Sequence, residues 1–425
     1  MKTSIKQLKS YLLIWGTQSL STLGSSMTAY ALGLWLYKST GSALKTALLT
    51  VCSYAPYVAM SIFAGALSDK WNKKRTMLVC DLLAAFTTIA AFLLVKNDLL
   101  APWHLYVLNA LNGLMNTVQQ PASEVAATQL IPKEYYQKTG ALRSLSQSMN
   151  TILTPVLATM LFAFGGISAV MTVDLITFSS AFMVLLLFIR IPEPKHTEKS
   201  DVSVISSAMQ GLSWLKANPL ILKLIFFLSG INLIASAYNA ALSPMILSKP
   251  SGGEGVLGMV NFCVGAATFL GTFIASSTRP PKNRIKAICL SLFVSMSTEN
   301  FMLAFSDSPM VWCAAAVLGW LFIPYMGANL DVVFRSTIPP DMQGRVYSCR
   351  NSLQFFTIPV GYLSGGILID KVFEPFMSKQ AADTLLTSLF GSGKGSGAAM
   401  LFAILGVSGV AVCVIFSLLL SKEKE

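Results

Sequence analysis

Five acidic residues fall inside long apolar stretches: Asp81, Glu124, Asp174, Glu299 and Asp331. A charged group at the centre of a bilayer costs roughly 2.5–3.5 kcal/mol on insertion scales, so each position calls for a function or a partner. The chemistry open to a carboxyl there is proton uptake and release. Asp331 stands one turn before Arg335, and Asp81 lies within two turns of Arg75, which marks both as members of structural pairs. Glu124 has Arg143 as a competing partner. For proton carriage the candidates are Glu124, then Asp174, with Glu299 alongside.

Neutral polar residues form stripes on the same greasy background. Asn109, Asn112 and Asn116, with Gln119 or Gln120, recur at steps of three and four. So do Ser229, Asn232, Ser236, Asn239 and Ser243, while Gln18, Thr22 and Ser25 form a shorter set. Steps of three and four place side chains on one face of a helix. Amides turned to lipid would lack partners, so each stripe must face protein or water. Ligand contact and helix-to-helix hydrogen bonding are the two uses open to it. An enzyme would need a nucleophile–base set or metal ligands. The two histidines, His104 and His196, belong to no such cluster, so the reading is of no enzyme, no metal and no cofactor.

These residues must be positioned by membrane helices. Of the 425 residues, 54% are hydrophobic and only 12% charged, with a mean hydropathy of +0.62; soluble domains carry about 25% charged residues. Apolar runs of about 20 residues can cross a bilayer as helices, and about twelve occur, near 10–37, 46–68, 76–95, 104–127, 141–164, 168–190, 220–247, 256–277, 286–305, 309–333, 347–371 and 398–420. Barrel strands would alternate, and AFMVLLLFI at 181–189 does not. The expected fold is an all-α membrane protein with twelve transmembrane helices.

The net charge of +12 invites a nucleic-acid partner, but its distribution excludes one. With the N-terminus in the cytoplasm, every Lys and Arg falls on the inner side except Lys38, Lys45, Lys96, Lys249, Lys371, Lys379 and Lys394. That is the positive-inside bias of an even-numbered bundle with both termini cytoplasmic. The first apolar run extends to about Tyr37 without a cleavage pattern, unlike a secretory signal. Seven unpaired Cys read as small buried hydrophobes, and the absence of N-x-[ST] acceptors suits a bacterial-type plasma membrane.

The chain repeats itself. LYKSTGSALKTA at 36–47 parallels LSKPSGGEGVLG at 247–258, FAGALSDKWNKKR from 63 parallels FIASSTRPPKNR from 273, and QSMNTILTPV at 147–156 parallels NSLQFFTIPV at 351–360. The order is kept and the offset nearly constant, which implies a duplicated six-helix unit. The expected division is an N-terminal bundle over 1–190, a cytoplasmic linker over 191–219 and a C-terminal bundle over 220–425. Within the linker, Ile205, Met209, Leu212 and Leu215 share one helical face, as in a helix lying on the membrane.

Two six-helix halves, a basic central linker and GALSDKWNKKR resemble the major facilitator superfamily over the whole chain. Loops such as IPKEYYQKTGALRSLSQS and IPPDMQGRVYS are similar to those of its bacterial macrolide-efflux-like exporters. The family signature between helices 2 and 3 maps onto Gly65, Asp69, Lys70, Lys74 and Arg75, with Asn72 replacing a glycine; Asn tolerates a left-handed turn. The resemblance implies that Asp69, at the end of the second run, latches onto the start of the eleventh, near Gly344. It also implies a central cavity lined by runs 1, 4, 7 and 10, hence by Gln18, Thr22, Asn109, Asn112, Asn116, Gln120, Asn232, Ser236, Asn239 and Trp320. Such a lining, with Trp15, Tyr30, Trp35 and Tyr238 nearby, suits an amphipathic small molecule. Two features depart from proton-coupled drug exporters: no Lys or Arg lies between Lys96 and Lys133, and Pro155 lacks its flanking glycines. The expected activity is drug or macrolide-like export by alternating access with proton antiport, performed by a monomer. A lipid or lysolipid translocator, a small-solute importer and a non-transporting sensor are the alternatives.

Overall fold

The computed structural model describes the backbone of residues 2–70, 72–130, 136–189, 204–339, 342–381 and 384–421. Side chains are described throughout these except at 2–10, 61–70, 120, 121, 124, 125, 127–130, 136–141, 143, 144, 204–208, 344, 348 and 421. The signature residues Gly65, Asp69 and Lys70, the candidates Gln120 and Glu124, and the linker over 190–203 lie outside the described side chains.

The apolar runs fold as helices in chain order: α1 (Lys2–Thr40), α2 (Ala43–Lys70), α3 (Lys73–Lys96), α4 (Pro102–Leu130), α5 (Tyr136–Leu187), α6 (Val204–Ala217), α7 (Pro219–Ser248), α8 (Glu254–Ser277) and α9 (Arg284–Ala304). The rest are α10 (Pro309–Trp320), α11 (Ile323–Thr337), α12 (Gln343–Phe355), α13 (Thr357–Ile367), a π-helical turn (Leu368–Phe373), α14 (Glu374–Met377), α15 (Leu385–Phe390) and α16 (Ser396–Ser421). No strand occurs among the described residues. Eight helical segments there are long and apolar enough to cross a membrane. Large apolar side chains such as Phe164 (88% exposed) and Met310 (83%) face outward, as a protein solvated by lipid requires and one solvated by water avoids.

Local chemistry sets the helix ends. Pro102, Pro219 and Pro309 open α4, α7 and α10, where a missing N–H costs nothing because no helical acceptor awaits it. Asn72 precedes α3 and its side chain accepts from the Arg75 amide at 3.0 Å. Asn283 does the same for α9 with the Lys286 amide at 2.7 Å. Two loops that are parallel in sequence thus start their helices by one device. Asn72 itself has φ −63°, so the left-handed turn expected at this position does not form; capping a helix is the use its amide finds instead.

The 52-residue α5 is two membrane helices joined end to end. The break is Gly165–Gly166, where Gly166 takes φ 63°, a conformation open to glycine at little cost. The run at 309–333 is likewise divided, between α10 and α11, just ahead of Pro324.

The chain forms two compact units, one of residues 1–35 and 52–206, the other of 36–51 and 207–425. The first has a core of Met77, Ala122, Ala126, Leu185 and Ile189, contributed by α3, α4 and the end of α5. In the second, Phe227 of α7 stacks on Phe416 of α16 at 5.3 Å, and Trp312 and Phe402 are fully buried. Helix α6 belongs to this unit from residue 207 onward. Gly211 and Leu215, one turn apart, are buried, Gly211 against the Arg345 backbone of α12, and Gln210 accepts from Arg345. Met209 and Leu212 remain exposed, so the apolar face expected on α6 is divided between packing and the surface.

Candidate functional site

Inside the first unit lies a polar cavity of about 330 Å³. Helix α1 lines it with Gln18, Thr22, Ser25 and Thr28, α3 with Asp81, Thr87 and Thr88, α4 with Asn109, Asn112, Asn116 and Gln119, and α5 with Asp174. The stripes on the first and fourth runs therefore converge, and Gln119 carries the last described amide of the set. Among the described residues, no Lys or Arg takes part in this lining.

Two carboxylates line it. Asp81, 8% exposed, accepts from Gln119 Nε2 and from Gln18 Nε2 at 3.5 Å. The pairing with Arg75 expected for it is not made: Arg75 is exposed, while Asp81 turns inward to the two amides. Asp174, 2% exposed, accepts from Ser25 Oγ at 3.0 Å. Next to it Thr87 donates to Asn112 Oδ1 at 3.0 Å. Amides and hydroxyls stabilise a carboxylate by hydrogen bonds but do not neutralise it. The site can accept a proton or the cationic part of a ligand.

The other candidates are placed in different ways. On α7, Asn232 donates to Gln354 O at 3.2 Å, Ser236 is buried against Gly361, and Asn239 is exposed. Ser229 and Thr357 meet between α7 and α13, with the Thr357 hydroxyl 2.9 Å from Ser229 O. Ser229 and Asn232 of this stripe thus bond α7 to α13 and α12. Trp320 donates its indole N–H to Glu299 Oε1 at 3.1 Å, and Tyr238 donates its hydroxyl to the same oxygen. Glu299 is 4% exposed and sits against Gly319, where a Cβ would strike the carboxylate. Trp320 is thus a partner of a buried acid. Asp331 makes no ion pair with Arg335 among the described residues; both edge a surface depression with Gln343, Tyr347, Arg350 and Asn351.

Of the signature, Lys74 and Arg75 are described. Lys74 Nζ donates to Leu186 O at 3.0 Å and Ile189 O at 2.6 Å. A cation at the carbonyl end of a helix complements its dipole, so Lys74 closes the C-terminus of α5. The exposed Arg75 is left at the surface.

A bundle of lipid-solvated helices around a buried polar cavity defines a multi-pass membrane transporter. The chain belongs to the Major Facilitator Superfamily, whose sequence profile matches residues 14–362. It is 23% identical over 375 residues to macrolide efflux protein A of Streptococcus pyogenes, covering 86% of this chain and 90% of that protein. Its fold is similar to the nucleoside transporter NupG, with a TM-score of 0.68 at 13% identity over 97% and 99% of the two chains. A bacterial homologue of the iron transporter ferroportin in its inward-facing state matches with TM-score 0.68 at 14% identity over 96% and 98%.

Proposed function

We propose that this transporter exports amphipathic small molecules across the plasma membrane by alternating access, driven by proton antiport, with both termini cytoplasmic. The observation that supports it most is the first unit's cavity, where Asp81 and Asp174 lie among amides and hydroxyls with no cation among the described lining residues. Such a pair can exchange a proton for the polar end of a substrate whose apolar part rests on Leu32, Leu105, Leu108 and Phe178 of the same lining. The efflux proteins among its relatives favour export and a drug-like cargo. In this reading residues 1–190 and 220–425 are the two moving bundles, the linker over 191–219 joins them, and Asp69, with Gly65 and Lys70, latches the inner side while the cavity opens outward.

The test is a susceptibility screen in a host lacking its own pumps, followed by counterflow in proteoliposomes with and without a pH gradient. Protection from macrolides or other amphipathic drugs that is lost in Asp174→Asn at equal expression fits the proposal. A wild type that protects against nothing and shows no counterflow removes it.

One observation favours a lipid-like cargo as a second reading. An apolar recess of about 480 Å³ lies between α1 and α5, lined by Leu20, Leu23, Met27, Leu157, Met160 and Phe164 among others. A lysolipid tested in the same proteoliposomes separates the two cargoes.

A further inference from the structure

The start of α2 is capped by a residue far along the chain. The Asp370 carboxylate accepts from Ala43 N at 3.0 Å, from Leu44 N at 2.9 Å and from the Ser42 hydroxyl. Ser42 Oγ in turn accepts from Lys45 N at 3.1 Å. The first amides of a helix have no acceptor within it and carry its positive dipole end, so one carboxylate satisfies two of them at once. Asp370 stands in the π-helical turn after α13, a distortion that re-aims side chains and recurs at functional sites.

The surroundings hold the same segment. Tyr37 donates to, or accepts from, Ser248 Oγ at 2.6 Å and lies 3.2 Å from Pro244 O, at the end of α7. Lys38 pairs with Glu254 at the start of α8. Gly366 packs so closely on α2 that a Cβ would lie 2.7 Å from Leu44 Cα. Residues 36–51 accordingly group with the second unit, although the rest of α1 and α2 belongs to the first. One turn beyond Asp370, Glu374 caps a different helix: its Oε1 accepts from Gly395 N at 2.9 Å and Ala398 N at 3.3 Å, at the start of α16. That second cap is internal to the C-terminal part of the chain and need not change.

We propose that Asp370 is a reversible latch, the counterpart at the opposite membrane face of the one assigned to Asp69. It rests on the alternating-access reading above. Asp69 ends the second apolar run and is proposed to meet the start of the eleventh; Asp370 ends the eleventh and holds the start of the second. The same two helices exchange roles at their two ends. During transport one carboxylate cap is made while the other is broken, and the face where α2 begins opens only when Asp370 lets go of Ala43 and Leu44.

Hydrogen–deuterium exchange on the full-length protein in nanodiscs tests this without knowledge of the cargo. Asp370→Asn and the milder Ser42→Ala should raise exchange about tenfold in a peptide over 40–50, the loss expected for a helix cap. A latch further requires the rise to extend to 244–250 and 252–258, which lose Tyr37 and Lys38, while 395–400 under Glu374 stays protected. Adding Asp69→Asn should bring those segments back towards wild type. A rise confined to 42–46 in both variants, or one that Asp69→Asn leaves unaltered, makes Asp370 a static cap and overturns the latch. Absence of counterflow by the wild type would instead remove the transport reading, whatever the exchange pattern.

Discussion

Trp320 and Glu299 are joined by a 3.1 Å hydrogen bond from indole to carboxylate across two helices. Tyr238 adds a second donor from a third helix. Removing one partner from a buried acid costs more than a bond is worth, because the acceptor is left unsatisfied. Trp320→Phe should therefore lower stability by about 1–3 kcal/mol, read as an earlier midpoint in detergent thermal unfolding. Glu299→Gln, which keeps an acceptor oxygen, should lose less. If Trp320→Phe melted with the wild type, the bond would contribute nothing.

Gly319 beside the same carboxylate makes a steric prediction. Its missing Cβ is the space Glu299 occupies. Gly319→Ala should cost about 1–3 kcal/mol by overpacking, and Gly319→Ala combined with Glu299→Ala should recover part of that loss. Two losses that simply add would show the groups are not in contact.

Asp81 and Asp174 should separate folding from function. Each has neutral hydrogen-bond partners that an amide can also engage, so Asp81→Asn and Asp174→Asn should insert and melt normally. Transport should fall at least about tenfold in each, a change equal to about 1.4 kcal/mol. Full transport with both substituted would exclude the cavity from the cycle.

Lys74 predicts a structural effect within the signature. Its ammonium closes the carbonyl end of α5 through Leu186 O and Ile189 O. Lys74→Gln should cost about 0.3–1 kcal/mol through the helix dipole, measured by thermal unfolding. Asn283→Ala should cost about 1 kcal/mol by loss of the α9 cap, with transport retained by the surviving folded fraction. An unchanged midpoint in either variant would show that its contact is dispensable.

The helices were legible because lipid demands long apolar runs, and those runs punctuate themselves with Pro, Gly and charge. The convergence of Gln18, Asn109, Asn112 and Asn116 was legible too, since an amide stripe has nowhere else to face. Asp81 reads as a partner of Arg75 because the two are near in sequence, whereas the amides it meets, on Gln18 and Gln119, stand 63 and 38 residues away. The bond of Trp320 to Glu299, 21 residues earlier and on another helix, is likewise invisible to spacing along the chain. The role of Asp370 left no trace at all. A charged residue at the end of an apolar run looks like any interfacial acid, and only the folded chain brings it to Ser42, 328 residues back.

That distance has a consequence for biogenesis. A ribosome releases the beginning of α2 long before it makes Asp370, so for most of synthesis the amides of Ala43 and Leu44 must be satisfied by water or by headgroups. Truncated nascent chains ending before residue 370 should leave this helix start frayed and open to protease, and chains extended beyond it should not. Completion of this early helix should then be one of the last events of assembly.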